Sequence, residues 1–147
     1  MCTTSSPPTP GPSQITFVGP AGSGQLCKAA NQLVVACNLQ AVAEAVVFLE
    51  SSGVDVERAL TAIGAGLAGS TVLERKRNAF LSGDFSPGFR VDLHDKDLGI
   101  VAAVVRQQGN ALPATAMVTQ LVAALRARGD GDLDHSALLK LSRELNG

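Results

Sequence analysis

The stretch GSGQLCKAANQLVVACNLQAVAEAVVF, Gly22 to Phe48, decides the fold. After Gly24 it contains no Gly or Pro and is rich in Ala, Leu and Val, so nothing breaks a helix until Gly53 supplies a stop. Apolar residues fall on nearly every face, which is the pattern of a central helix surrounded by protein. Residues 24–51 would run for about 40 Å at 1.5 Å per residue. Asn38, Gln40 and Glu44 interrupt the apolar run Leu33–Leu49 and make insertion into hydrocarbon expensive, so the run reads as a buried helix of a soluble core.

Downstream, Asp55 is placed to cap a short helix through Val56, Leu60 and Ile63 that glycines 64, 66 and 69 end. Ser70 or Thr71 caps another, ending near Leu81. Asp92 caps a helix to Gln108 with Leu93, Ile100, Val101, Val104 and Val105 on one stripe, and Gly109 follows where a left-handed residue is wanted. Pro113 opens a helix to about Arg128, and Asp134 or Ser136 starts a last one carrying Leu138, Leu139, Leu141 and Leu145.

Upstream, residues 15–18 (ITFV) suit one strand, which alone cannot satisfy its own backbone groups, so a neighbour N-terminal to it is expected. Residues 1–14, almost all Ser, Thr, Pro and Gly, are expected to be a disordered leader. The expected fold is therefore all-α: about six helices around one long buried central helix, with at most one short N-terminal strand.

Composition narrows function. The chain has 147 residues, and its 12 Lys plus Arg against 13 Asp plus Glu leave no basic excess to neutralise phosphates. With 3% aromatic residues and no Trp or Tyr it has few surfaces on which bases could stack, so nucleic acid is not an expected partner. Cys2, Cys27 and Cys37 are odd in number and lack metal spacing, which fits a reducing compartment; with no basic residue before Lys28 and no apolar signal core, the cytoplasm is expected.

Several local motifs fail on chemistry. GPAGSG at 19–24 is followed by Gln25 and Leu26, so it lacks the lysine of a P-loop, and helices follow it where a dinucleotide fold needs a parallel strand. Asp130, Asp132 and Asp134 open like a calcium loop, but His135 stands where Gly is needed and Leu141 where Glu is needed, so a solvated turn is expected. His94 and His135 have no partner at ligand spacing and are expected at the surface or at caps; no metal site is expected.

Two clusters remain. Lys28, Asn31 and Gln32 stand at i, i+3 and i+4 and so share one helix face. Either Lys28 simply snorkels to water, or it is an ammonium held beside two carboxamides, where partial burial and the positive helix end would suit it to general acid work. The second cluster is Phe89, Lys96 and Asp97 in GFRVDLHDKDL, which by spacing alone reads as a solvated helix start.

Taken together, the Gly22–Phe48 stretch, FSPGFRVDLHDKDLGIV (85–101) and GDLDHSALLKL near the end closely resemble the β-hydroxyacid dehydrogenase family over residues 15–147. The family joins a Rossmann domain that holds NAD(H) or NADP(H) to an all-helical C-terminal domain of the 6-phosphogluconate dehydrogenase type, entered by a long helix. The resemblance implies that this chain corresponds to the second domain, with ITFV as the last strand of the first. A nucleotide-binding partner domain would then have to be supplied, and the chain alone is not expected to bind the cofactor tightly. It implies Lys28 as the catalytic lysine, Asn31 and Gln32 as substrate-binding carboxamides, and Lys96, Phe89 and Asp97 as cofactor-side residues. The implied reaction in the complete enzyme reduces a short 3-oxo acid, tartronate semialdehyde, to glycerate, and a homo-oligomer is implied. The alternative is a noncatalytic helical module that dimerises or binds a partner.

Overall fold

The computed structural model describes residues 16–147, and among these it is all-α. Helix α1 spans Ser23–Ser51, α2 Val56–Ala65, α3 Thr71–Ser82, α4 Val91–Gln108, α5 Pro113–Ala127 and α6 Leu138–Leu145, with a single 3-10 turn at His135–Ala137 leading into α6. The expected leader lies outside the described residues. No strand forms among the described residues: positions 16–18 find no partner to pair with, and the β-type pairing present is one antiparallel bridge between Arg90 and Asp134.

Helix α1 is the axis, as its breaker-free sequence dictates. At 29 residues it is about 43 Å long, and it touches every other helix. By length and composition it could cross a bilayer. Its Ala36, Leu39, Ala43 and Val46 are instead fully buried against neighbouring helices, with Leu60, Leu73, Phe80, Leu98, Val118, Val122, Leu138 and Leu139 completing the core. The expectation of burial on all sides is not met. The N-terminal half projects from the bundle, and Leu26, Val34 and, further on, Phe48 are exposed, because the surrounding helices cover one face of α1 and no more.

Several boundaries follow from the expected caps. Asp55 accepts from the Arg58 backbone N–H, Ser70 from that of Leu73, Gly109 turns left-handed at φ 68°, and Pro113 opens α5. Helix α4 departs from expectation. It starts at Val91 with no side-chain cap, because the first two orphan N–H groups, of Val91 and Asp92, donate to the carbonyls of Leu133 and Gly131. The Asp92 carboxylate, freed from capping, accepts from Arg126. The buried stripe of α4 is Val91, His94, Leu98 and Val101; Leu93 and Ile100 of the expected stripe are exposed.

Two glycines separate steric crowding from helix propensity. A Cβ on Gly69 would fall well inside contact distance of the Gly64 carbonyl oxygen, whereas one on Gly99, within α4, would meet nothing within 4 Å. Gly69→Ala should lower the urea midpoint by the equivalent of about 1–3 kcal/mol. Gly99→Ala should raise it by about 0.5–1 kcal/mol through helix propensity.

Candidate active site

The site is built from the third turn of α1 outward. Gln32 is its hub. Its Nε2 donates to Asp97 Oδ2 at 2.7 Å, its Oε1 accepts from Asn31 Nδ2 at 3.4 Å, and its backbone carbonyl lies 3.1 Å from His94 Nε2. The bond to Asp97 crosses 65 positions of sequence, joining the two clusters that the sequence leaves apart.

Gln32 separates two hollows. One, of about 330 Å³, lies between α1 and α4 and is lined by Gln25, Lys28, Gln32 and Asp97 over an apolar floor of Ala29 and Ile100. The other, of about 660 Å³, is lined by Asn31, Asn38, Phe89 and His135 among others, again with Gln32. Lys28, Gln32 and Asp97 are thus together, and Asn31, Gln32 and Phe89 are together. Lys96 lines neither hollow and is exposed, since successive helical residues point about 100° apart and Asp97 takes the direction facing α1. Lys28 is exposed at the rim, so the expected partial burial is not supplied by the described residues.

The buried polar groups beneath these hollows are not the ones singled out from sequence. Asp134 is not part of a solvated turn: it is 2% exposed. Its Oδ2 accepts from Lys76 Nζ at 2.7 Å and from the backbone N–H groups of Gly88 and Phe89 at 3.0 Å each, while Oδ1 accepts from the Ser136 N–H at 3.0 Å and hydroxyl at 2.6 Å. Burial by itself raises the pKa of this carboxyl, but the bonds from Lys76, Ser136 and Phe89 outweigh it and hold Asp134 well below the usual carboxylate range. Asp130 and Asp132 pair with Lys140 and Arg90, and among the described residues no cluster of metal-ligating side chains forms.

His94 and His135 are likewise corrected from surface to interior. Their Nδ1 atoms are 3.1 Å apart, and Phe89 packs on both rings, edge-on to His94 with centroids 5.7 Å apart and tilted over His135 at 5.2 Å. Burial depresses both pKa values, His135 to about 4 against the partial opposition of Asp134. A signal for His94 was present in its place on the stripe Val91, His94, Leu98, Val101, and one for Asp134 in the Asp-His-Ser cap sequence. Nothing in the sequence announced that the two imidazoles meet.

A family model described as "NAD-binding of NADP-dependent 3-hydroxyisobutyrate dehydrogenase" matches residues 22–142. The chain belongs to the β-hydroxyacid dehydrogenase family. It is 40% identical over 126 residues to the 2-hydroxy-3-oxopropionate reductase of Escherichia coli, covering 86% of this chain and 43% of that one. It is 38% identical over 133 residues to a probable 3-hydroxyisobutyrate dehydrogenase-like protein, mitochondrial, of Arabidopsis thaliana, covering 90% of this chain and 40% of the relative. A solved 3-hydroxyisobutyrate dehydrogenase of Mycobacterium tuberculosis with L-serine superposes with a TM-score of 0.80 at 28% identity, over 86% of this chain and 45% of that one. The chain spans less than half the length of these relatives.

Two outcomes test the buried network. The His135 pKa is lower folded than unfolded, so its contribution to stability is complete above about pH 6.5 and is lost as the pH falls toward about 4. Urea midpoints should fall by the equivalent of about 2 kcal/mol between pH 7.5 and pH 5, with a smaller fall in His135→Asn. Asp134→Ala strands Lys76 and three backbone donors and should cost at least about 3 kcal/mol by the same measurement at pH 7.5.

Proposed function

We propose that this chain is the helical, substrate-binding and assembly half of an NAD(P)-dependent β-hydroxyacid dehydrogenase, and that the complete enzyme reduces tartronate semialdehyde to glycerate. One observation carries the reading: the Gln32–Asp97 bond brings two motifs, 65 residues apart, to one hollow beside an ammonium that has no ion-pair partner among the described residues. The 40% identity to a 2-hydroxy-3-oxopropionate reductase supports this choice of substrate.

NAD(H) or NADP(H), when bound in the complete enzyme, supplies the hydride. The chemistry of the residues present suits such a neighbour, although they do not line one hollow: Lys96 offers an exposed cation without an ion-pair partner among the described residues, Phe89 a half-buried ring in the larger hollow, and Asp97 an acceptor in the smaller one. Lys28 gives a proton to the carbonyl oxygen of the substrate as negative charge grows there. The amides of Asn31 and Gln32 orient that oxygen, and Asp97 holds the Gln32 amide so that this orientation costs no rearrangement at the moment of transfer. The exposed Leu26, Val34 and Phe48 of α1 support association with a nucleotide-binding domain and with further copies of the chain, since apolar area of this kind is seldom left uncovered.

Lys28→Ala, tested in the chain completed by its nucleotide-binding domain, should lower kcat by roughly 10²–10⁴-fold while moving KM little. An unchanged kcat would remove Lys28 from the chemistry. Fluorescence titration of the chain alone with NADH or NADPH should show no tight binding.

A further inference from the structure

The larger hollow contains a titratable group that the proton transfer at Lys28 does not use, and its tautomer follows from geometry. His94 Nε2 lies 3.1 Å from the backbone carbonyl of Gln32, which can only accept, so His94 carries its proton on Nε2. In the neutral ring its Nδ1 is then a bare acceptor. That atom lies 3.1 Å from His135 Nδ1, so His135 must donate from Nδ1 and is left with a lone pair on Nε2. Burial keeps both rings neutral near pH 7.

Nothing among the described residues donates to this Nε2. It is not sealed in the interior either, for the sealed side-chain polar atom left without a partner is Gln40 Oε1. His135 is 6% exposed and lines the hollow beside Asn31, Gln32 and Phe89. Two cations line the same hollow: Lys76 is committed to Asp134, while Arg75 has no ion-pair partner among the described residues. The cavity is therefore lined by a largely buried imidazole with an acceptor that no described residue pairs and by a cation that lacks an anion. An acid that also carries a hydroxyl satisfies both. A site that accepts from a hydroxyl rejects the analogue without one, because the buried acceptor is then left unpaired.

Resting on the dehydrogenase reading above, we propose that His135 is a specificity-determining residue: its Nε2 accepts a hydrogen bond from a hydroxyl that the substrate carries in addition to its reacting oxygen. The protein would then select polyoxygenated acids over their deoxy analogues. Gln32 lines both hollows, so the Lys28 side and the His135 side share one wall.

The test uses the chain itself with D-glycerate and its deoxy analogue 3-hydroxypropionate. Nitrogen NMR of the imidazoles near pH 7.5 should show His94 protonated at Nε2 and His135 at Nδ1. Glycerate should move the His135 Nε2 resonance upfield and saturate, and 3-hydroxypropionate should bind about fivefold more weakly, the worth of one neutral hydrogen bond. His135→Asn keeps an N–H where Nδ1 stood, so His94 retains its partner while the Nε2 acceptor is deleted; folded by thermal melt, this variant should bind both acids equally. The proposal is overturned by a proton on His135 Nε2, by absence of a saturable glycerate shift, by equal affinity of the unaltered chain for both acids, or by an undiminished preference in His135→Asn. Equal affinity of the unaltered chain for both acids, while Lys28→Ala still lowers turnover in the completed enzyme, sinks this inference alone. Discrimination retained while Lys28→Ala turns over normally sinks the dehydrogenase reading instead.

Discussion

One buried carboxylate organises the half of the molecule that carries the site. Asp134 takes five hydrogen bonds, from the ammonium of Lys76 on α3, from the backbone of Gly88 and Phe89 ahead of α4, and from Ser136 at the turn into α6. An ionised group so buried is tolerable only when paired and fully bonded, and this one is both. The arrangement is self-consistent: neighbouring backbone bonds from Asp134 to the Phe85 carbonyl and from His135 to the Phe89 carbonyl lock the same two segments together. Phe89, thus fixed, packs on both imidazoles, and His94 reaches the backbone of Gln32. Position is handed from a charge beneath the site to the amide at its centre without passing through solvent.

Gln32 translates that order into chemistry. A glutamine amide has an acceptor and two donors, and here Asp97 claims a donor and Asn31 approaches the acceptor, which fixes the sense in which the amide faces the two hollows. A side chain held at both its backbone and its tip loses less freedom when a ligand binds than one that hangs loose. Lys28 contrasts with it. The ammonium is exposed on a part of α1 that projects beyond the bundle, so little but Gln32 and the α4 residues Asp97 and Ile100 shapes its surroundings.

The distribution of burial along α1 expresses the same division. From Ala36 to Val46 one face is sealed in the core, while at Leu26 and Val34 the apolar side chains meet solvent. A sequence that is apolar all round is written for neighbours on all sides. Five helices provide them along part of its length, and the remainder of the surface stays open.

The sequence by itself determined the helices and most of their ends. Asp55, Ser70, Gly109 and Pro113 act through groups within a few residues of themselves, so their consequences can be read locally. It also carried the family, through motifs whose order along the chain is distinctive, and that resemblance singled out Lys28, Asn31, Gln32, Phe89, Lys96 and Asp97 as candidate site residues in two separate clusters. Tertiary structure decided everything that depends on which surfaces meet. It placed Gln32 against Asp97 and set Lys96 aside, gave the first N–H groups of α4 to the carbonyls of Gly131 and Leu133 in place of an Asp92 cap, and turned a supposed solvated aspartate and two supposed surface histidines into a buried network. The physical reason is reach: a cap closes its hydrogen bond within one helical turn, whereas Asp134, His94 and His135 find partners tens of residues away, and no period in the sequence encodes that distance.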